Sequence, residues 1–509
     1  MKKMMLGLLI LVGTAKGVFA QDEFDALRYS LTTNHGTARG MSIGGALGSI
    51  GGDFSSLSVN PAGIGIYRKS EFSFSPSFQT GNNQSSYLAS TQDDNFSRFN
   101  FTSFGFVITS AKKGTAYKKS AWKSVSFGVG MNKLASFRND YTYSGKNFKS
   151  SIVERWSEEF NKLGGLNEDA KNKVSFPAFA AYQTWLIDKD YTVGGDSSKA
   201  RSYVPYQGGL QQTKRVKEKG GMNEYVISVG GNFQEKLLLG ATLGISSINY
   251  DRDLYIDEED ISSNTNNDFG YMNYKESLQT TGLGINLKLG ALFKPSNLFR
   301  FGLALHTPTH IELNDVSSIY MKSNTDSFLL RNGLSNSPIT EFTQDTALAF
   351  NYSLNTPYKA LASATVLFKQ YGFFTADVEY VNYASMRYNL GDGYEKETDA
   401  INSTIKNTFR DAVNVRLGIE GKLNDFSIRA GYGFYGSPYK QTSNQGDKSV
   451  YSAGIGYRTN TWFLDAAYIY ASQTYTEKPY VLGRSNADVQ SATIQRNTGN
   501  TVVTLGWKF

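Results

Sequence analysis

Residues 413–421 read VNVRLGIEG, with Val413, Val415, Leu417 and Ile419 alternating against Asn414, Arg416, Gly418 and Glu420. A period of two puts the two sets on opposite faces of a strand, one face apolar and the other carrying full charges. The same division returns at 373–382, FFTADVEYVN, where Phe374, Ala376, Val378 and Tyr380 oppose Thr375, Asp377 and Glu379. It is present again in EFSFSPSF, where Phe72, Phe74, Pro76 and Phe78 oppose Ser73, Ser75 and Ser77. A soluble sandwich buries its apolar face, whereas a transmembrane barrel turns that face to lipid and keeps its charges inside.

The spacing of such segments separates the two cases. Fourteen strands are expected between residues 69 and 509, and their connections alternate in length along the chain. Long connections fall at 79–97, 136–221, 250–276, 308–346, 384–410, 436–447 and 474–500, and short ones at 110–121, 234–235, 294–298, 369–370, 424 and 459–460. Short periplasmic turns, long outer loops and an even strand number are the pattern of a bacterial outer-membrane barrel. The expected fold is therefore all-β, a transmembrane antiparallel β-barrel with both termini in the periplasm. Trp122, Trp462 and Trp507 then mark the inner rim, and Tyr250, Tyr383, Tyr435 and Tyr470 the outer one. Two places are ambiguous: Pro357 lies inside the eighth strand, tolerable where that strand bends or extends beyond the membrane, and VSFPAFAAYQTWLI at 174–187 reads as a further strand in the longest loop.

Composition agrees with this reading. Tyr 32, Phe 33 and Trp 5 make 14% of the chain, alongside 50 glycines. The first twenty residues, MKKMMLGLLILVGTAKGVFA, carry a basic start, an apolar stretch and a small-residue end, the features of a signal peptide cleaved near Gln21. Beyond it, 49 basic and 45 acidic residues remain, too balanced for a nucleic-acid binder. With no cysteine there is neither a lipid-anchored thiol nor a disulfide framework. The terminal TVVTLGWKF, ending in Phe509, resembles the signal by which barrel proteins engage the outer-membrane assembly machinery.

Few residues offer chemistry. The three histidines, His35, His306 and His310, have no nucleophile set beside them, so no enzyme is expected. HTPTH at 306–310 contains a proline that opposes a helical metal or haem pair, and neither metal nor cofactor is expected. Lys288, Asp377, Glu379, Arg416, Glu420, Arg429 and Asp465 face the lumen with mixed signs, which suits a hydrated or paired interior rather than an ion filter. In the loop at 136–221, SIVERWSEEFNKLGGL places Trp156 and Phe160 on one helical face, followed by Phe176, Phe179 and Trp185. These either pack together or present an outer surface that captures an apolar ligand.

Residues 36–65, GTARGMSIGGALGSIGGDFSSLSVNPAGIG, hold nine glycines but lack the lysine of a phosphate loop. The lead GMSIGGALGSIGGD, the SVNPAGIG that contains Asn60, Pro61 and Ala62, and the strand that follows together resemble the N-terminal hatch of FadL-type transporters. That is the outer-membrane family for long-chain fatty acids and other hydrophobic compounds. The resemblance implies a signal peptide at 1–20, a hatch at 21–68 inside the barrel, and a fourteen-stranded barrel at 69–509, acting as a monomer. It implies passive uptake of a hydrophobic small molecule, caught at outer loops, passed by a moving hatch and released sideways into outer-membrane lipid. Gly44, Gly45, Gly51 and Gly52 would let the hatch rearrange, and Gly128 and Gly130 would permit the family's wall kink in strand three. A haem receptor, a general porin and a surface adhesin are the alternatives on the same barrel.

Overall fold

The computed structural model describes residues 22–509 except 34, 192–194, 263, 265, 345–346, 442–444 and 484–488. The expected signal peptide lies outside the described residues. Fourteen antiparallel strands close into a barrel. They are β1 (Glu71–Tyr87), β2 (Ser90–Ala111), β3 (Trp122–Ser136), β4 (Leu210–Phe233), β5 (Leu237–Asp260), β6 (Tyr271–Phe293) and β7 (Phe299–His306, resumed as His310–Asn324). The circuit continues with β8 (Leu348–Asn355, resumed as Lys359–Leu367), β9 (Gly372–Asn382), β10 (Asp411–Leu423), β11 (Phe426–Tyr435), β12 (Gln445–Arg458), β13 (Trp462–Glu477) and β14 (Ala492–Lys508). Closure is the pairing of β14 with β1, in the register Phe72↔Trp507 and Phe78↔Thr501.

Alternation decides which way each strand faces. Thr375 and Asp377 of β9 and Arg416 and Glu420 of β10 are sealed inside, while Val378 and Ile419 point out. The outward faces of successive strands, with Phe127, Ile227, Ile245, Ile285 and Leu303 among them, make the apolar belt that meets lipid. Trp122, Trp462, Trp507 and Phe509 are exposed at the inner rim. Of the tyrosines expected at the outer rim only Tyr470 faces out. Tyr250 and Tyr383 are buried inside the barrel mouth: the pleat of β5 turns Tyr250 to the lumen, and Tyr383 opens the 3-10 turn that follows β9.

The chain from Asp22 to Arg68 lies inside the barrel as a plug. Helix α1 (Glu23–Ser30) sits in the outer mouth among Phe137, Tyr250, Tyr352 and Phe409. Below it come α2 (Ala38–Ser42) and two 3-10 turns, Phe54–Ser58 and Pro61–Ile66.

The strands run further outward than polarity alone suggests. Segments expected as loops at 79–97 and 250–276 are instead largely strand: β1 and β2 meet at Leu88–Ala89, and β5 and β6 each exceed twenty residues. About ten residues suffice to cross the membrane, so the rest is a polar wall standing above it. Pro357 falls in the interruption of β8, opposite that of β7, where Thr356 and Thr309 bond each other through backbone and side chain. The β2–β3 connection carries a short helix, α3 (Gly114–Lys119). In the longest loop, α4 (Ile152–Lys162) follows the expected helical face. The stretch at 174–187 is not mainly strand: its first part is α5 (Phe176–Gln183), capped by Ser175 with Pro177 in the first turn, where a missing N–H does no harm.

Candidate functional site

The plug is seated by two complementary features. First, wall glycines let its backbone touch the strands: a side chain at Gly290 would strike Asn60, one at Gly302 the Gly48 carbonyl, one at Gly418 Ile43, and one at Gly431 Gly44. Second, polar groups hold it. Arg300 donates to the Ile50 carbonyl at 2.9 Å, His306 Nε2 lies 2.9 Å from the Val59 carbonyl, and the Gly48 N–H donates to Asp377 at 3.1 Å. The Ser49 hydroxyl lies 2.6 Å from that of Ser363 on β8.

Asn60 is the pivot of the tightest turn. Its amide donates to the Gly48 carbonyl at 2.6 Å and reaches the Ala291 carbonyl of the wall at 3.3 Å. Its carbonyl oxygen accepts the Ala62 N–H at 3.1 Å, capping the 3-10 turn that Pro61 begins. Ala62 is fully buried against the wall. Gly44, Gly45, Gly51 and Gly52 all have φ between +61° and +73°, the left-handed region that other residues enter at a cost. Glycine at these four positions is thus required by the seated conformation itself.

The lumen charges singled out in the sequence are paired. Arg429 reaches Glu420 at 2.6 Å and Asp465 at 2.7 Å, Arg416 reaches Glu379 at 3.4 Å, and Lys288 reaches Glu224 at 2.5 Å. The two histidines of HTPTH diverge. His306 is turned onto the plug, while His310 lies half exposed between Asn355 and Glu312, so the two share no site. In the plug, burial and then the charges of Lys448 and Lys133 lower the His35 pKa to about 3.

Strand β3 is laddered to β2 without interruption through Gly128 and Gly130, which lie against Leu57 and Phe54 of the plug. An irregularity lies further along: β3 shifts register against β4 between Lys133 and Ala135. From there the third strand leaves β2. Its continuation, Asn139–Asn147, pairs with β4, whereas Ser90–Thr102 of β2 keep only β1 as a ladder neighbour. Side chains close the resulting seam: Lys133 donates to Asn100 at 3.0 Å, Arg98 to the Gly220 carbonyl at 3.4 Å, and the Thr142 N–H to Asp94 at 2.6 Å. Exposed Phe99 and Phe101 put the lower part of this seam in the apolar belt.

A cavity of about 230 Å³ lies between plug and seam. Leu31, His35 and Met41 of the plug, Ala135 and Phe137 of the seam, and Val450, Ile469 and Ala471 of the far wall are among its lining. Four charged residues also line it: Arg28 and Glu218, which pair with each other at 3.3 Å, and Lys448 and Arg496. Unlike Arg416, Arg429 and Lys288, neither Lys448 nor Arg496 has a carboxylate within ion-pair distance among the described residues, and Arg496 instead donates to the Arg138 carbonyl at 2.6 Å.

The five aromatic residues of the long loop divide into two groups. Trp156 and Phe160 are buried in a core built from the outer loops, against Tyr274 and Tyr182, and have no surface to offer a ligand. Phe176, Phe179 and Trp185 are only partly covered, the last two lying beside Phe342 and Phe328. A buried carboxylate that sequence reading missed, Glu258, accepts the Ile152 N–H at 3.0 Å and the Ser151 hydroxyl, anchoring the start of α4. Nothing in the local sequence distinguishes it from the neighbouring Glu259 except its inward position on the pleat.

Residues 228–507 match the family model described as outer membrane protein transport protein (OMPP1/FadL/TodX). The fold is similar to that of a Pseudomonas aeruginosa FadL homologue, with a TM-score of 0.55 and 12% identity over 94% of this chain and 99% of that one. It is also similar to the Pseudomonas putida toluene transporter TodX, with a TM-score of 0.52 and 11% identity over 94% and 99%. No curated protein sequence matches the chain.

Proposed function

Since the chain belongs to the OMPP1/FadL/TodX family of outer-membrane transporters of hydrophobic compounds, and is therefore not an enzyme, we propose that it is a passive, plug-gated channel for amphipathic acids such as long-chain fatty acids. The carrying observation is the cavity between plug and seam, apolar over most of its lining yet holding Lys448 and Arg496 without carboxylate partners among the described residues. A half-buried cation gains from an opposite charge, so an anionic headgroup is the natural complement and a neutral hydrocarbon is not.

Phe176, Phe179 and Trp185 offer the outer surface on which an apolar chain first settles. From there it passes the mouth to the cavity. At about 230 Å³ the cavity falls short of the roughly 300–1,000 Å³ of a full ligand site. A long chain therefore needs Leu31 to Gly45 of the plug to move, and that segment lines the cavity. Release is sideways, through the seam where β2 lacks a backbone ladder: opening it breaks bonds in which at least one partner is a side chain. Outer-membrane lipid receives the cargo, the protein acts as a monomer, and Phe509 addresses it to the assembly machinery.

The test is equilibrium binding of labelled oleate and labelled toluene to purified protein. Oleate should bind, and Lys448→Gln with Arg496→Gln should weaken it about tenfold or more, as expected for lost charge-assisted bonds. Equal affinity for both compounds, or oleate binding indifferent to the double change, would overturn the choice of an acid.

A further inference from the structure

The connections on the periplasmic side of the barrel carry a charge that the molecule as a whole does not. Together with the approach to β1 at 67–70, the turns at 112–121, 234–236, 294–298, 368–371, 424–425 and 459–461 hold nine lysines and arginines against two acidic side chains, Glu235 and Asp425. From residue 21 onward the chain has only 49 basic against 45 acidic residues, so this narrow rim holds more than the entire positive excess. Glu235 is already engaged, by Arg68 at 2.7 Å and Lys294 at 3.4 Å. Lys112, Lys113, Lys118, Lys119, Lys236 and Lys369 are exposed and make no ion pair among the described residues. Four of these six belong to the β2–β3 connection, where every residue of α3 is exposed.

We infer that this rim is a binding surface for anionic phospholipid headgroups of the membrane's inner leaflet, centred on the β2–β3 connection. The level of the charges identifies the occupant. They interleave with exposed Trp122, Trp462, Trp507 and Phe509, the rings that mark the headgroup boundary. Cations beside such a belt face lipid phosphates, to which juxtamembrane lysines are attracted. Beyond that connection they recur on three of the other five turns, as Lys236, Lys294 and Lys369, so the charge follows the perimeter, whereas a docked protein would need one contiguous face. The free cations are lysines, suited to mobile phosphates as point charges rather than to a fixed bidentate partner. The densest group lies at the base of the β2–β3 hairpin, the hairpin whose outer half forms the seam.

Native mass spectrometry of the detergent-purified full chain tests this, using dioleoyl phosphatidylglycerol and dioleoyl phosphatidylcholine, which share acyl chains. Retained phosphatidylglycerol should exceed phosphatidylcholine by about fivefold or more, and the excess should shrink as salt is raised. The combined variant Lys112→Gln, Lys113→Gln, Lys118→Gln and Lys119→Gln should bring the two lipids close to parity. These side chains are exposed, and heat-modifiable migration on gels verifies that the variant barrel is closed. Equal retention of both lipids by the unaltered protein, or a preference that survives in the closed variant, overturns the inference. Displacement of phosphatidylglycerol by inorganic phosphate alone overturns it in favour of a free-anion site. A lysine-dependent cross-link to an acidic periplasmic protein, without any lipid preference, overturns it in favour of protein docking.

Discussion

Replacing Asn60 with alanine should unseat the plug while leaving the barrel intact. Two losses add. The 3-10 turn at Pro61–Ile66 loses the cap on the Ala62 N–H, for which about 1 kcal/mol is typical. The buried Gly48 carbonyl loses the 2.6 Å bond from the Asn60 amide, and an unsatisfied buried acceptor adds about 2 kcal/mol. The sum, about 3 kcal/mol, raises the population of the released segment roughly a hundredfold. No strand-to-strand bond depends on Asn60, so heat-modifiable migration should be unchanged. Hydrogen exchange reads the effect directly: amides between Gly44 and Ile66 should lose about two orders of magnitude of protection while those of β1 and β14 keep theirs. Protection of the 44–66 segment within about threefold of the unaltered protein would refute the reasoning, since it would mean that the wall glycines alone hold the plug.

Gly44→Ala attacks the same seat through backbone geometry. At φ +67°, a Cβ would lie 2.9 Å from both the Leu417 and Tyr432 carbonyls, so raised ion leak in planar bilayers is expected, and wild-type leak counts against a tight seat. Phe160→Ala removes a fully buried ring from the outer-loop core, at about 3–5 kcal/mol. Limited proteolysis should then cut the 136–221 segment faster without loss of the closed barrel. His35 gives a pH dependence of definite sign. Its folded pKa of about 3 lies below the ordinary 6.5, so released plug takes up a proton that seated plug refuses. Seating is therefore strongest above pH 6.5 and weakens as pH falls from there toward 3, seen as falling amide protection around residues 35–45. His35→Gln should flatten that profile, and an unchanged slope would remove the imidazole as its cause.

The barrel is legible in sequence because its rule is local. Alternation at 413–421 and 373–382 states which side chains face lipid, and the alternating length of the connections states the topology. The outer halves of β1, β2, β5 and β6 are not legible, since above the membrane both faces are polar and the period-two signal fades, as in GNNQSSY at 81–87. Helix α5 reads as a strand because FPAFAAY is apolar all round and carries no period at all. Asn60, Pro61 and the four hatch glycines stand out in sequence through spacing and composition, and the structure gives each a geometric reason. The seam does not stand out. It arises where two neighbouring strands diverge between Lys133 and Asn139, a relation between distant residues that no single window contains. Likewise, Lys448 and Arg496 are ordinary basic residues until the fold sets them on one cavity, neither with a carboxylate within ion-pair distance among the described residues.

Gated uptake requires the plug to move, and a cysteine-free chain allows that movement to be stopped at will. Ser49 on the plug and Ser363 on β8 have hydroxyl oxygens 2.6 Å apart, close enough for a disulfide in their place. Cells carrying Ser49→Cys with Ser363→Cys should take up labelled oleate at background rate when oxidised and regain uptake after dithiothreitol, with each single variant insensitive to both treatments. Uptake at the wild-type rate through the oxidised, cross-linked protein would contradict a gate at the plug.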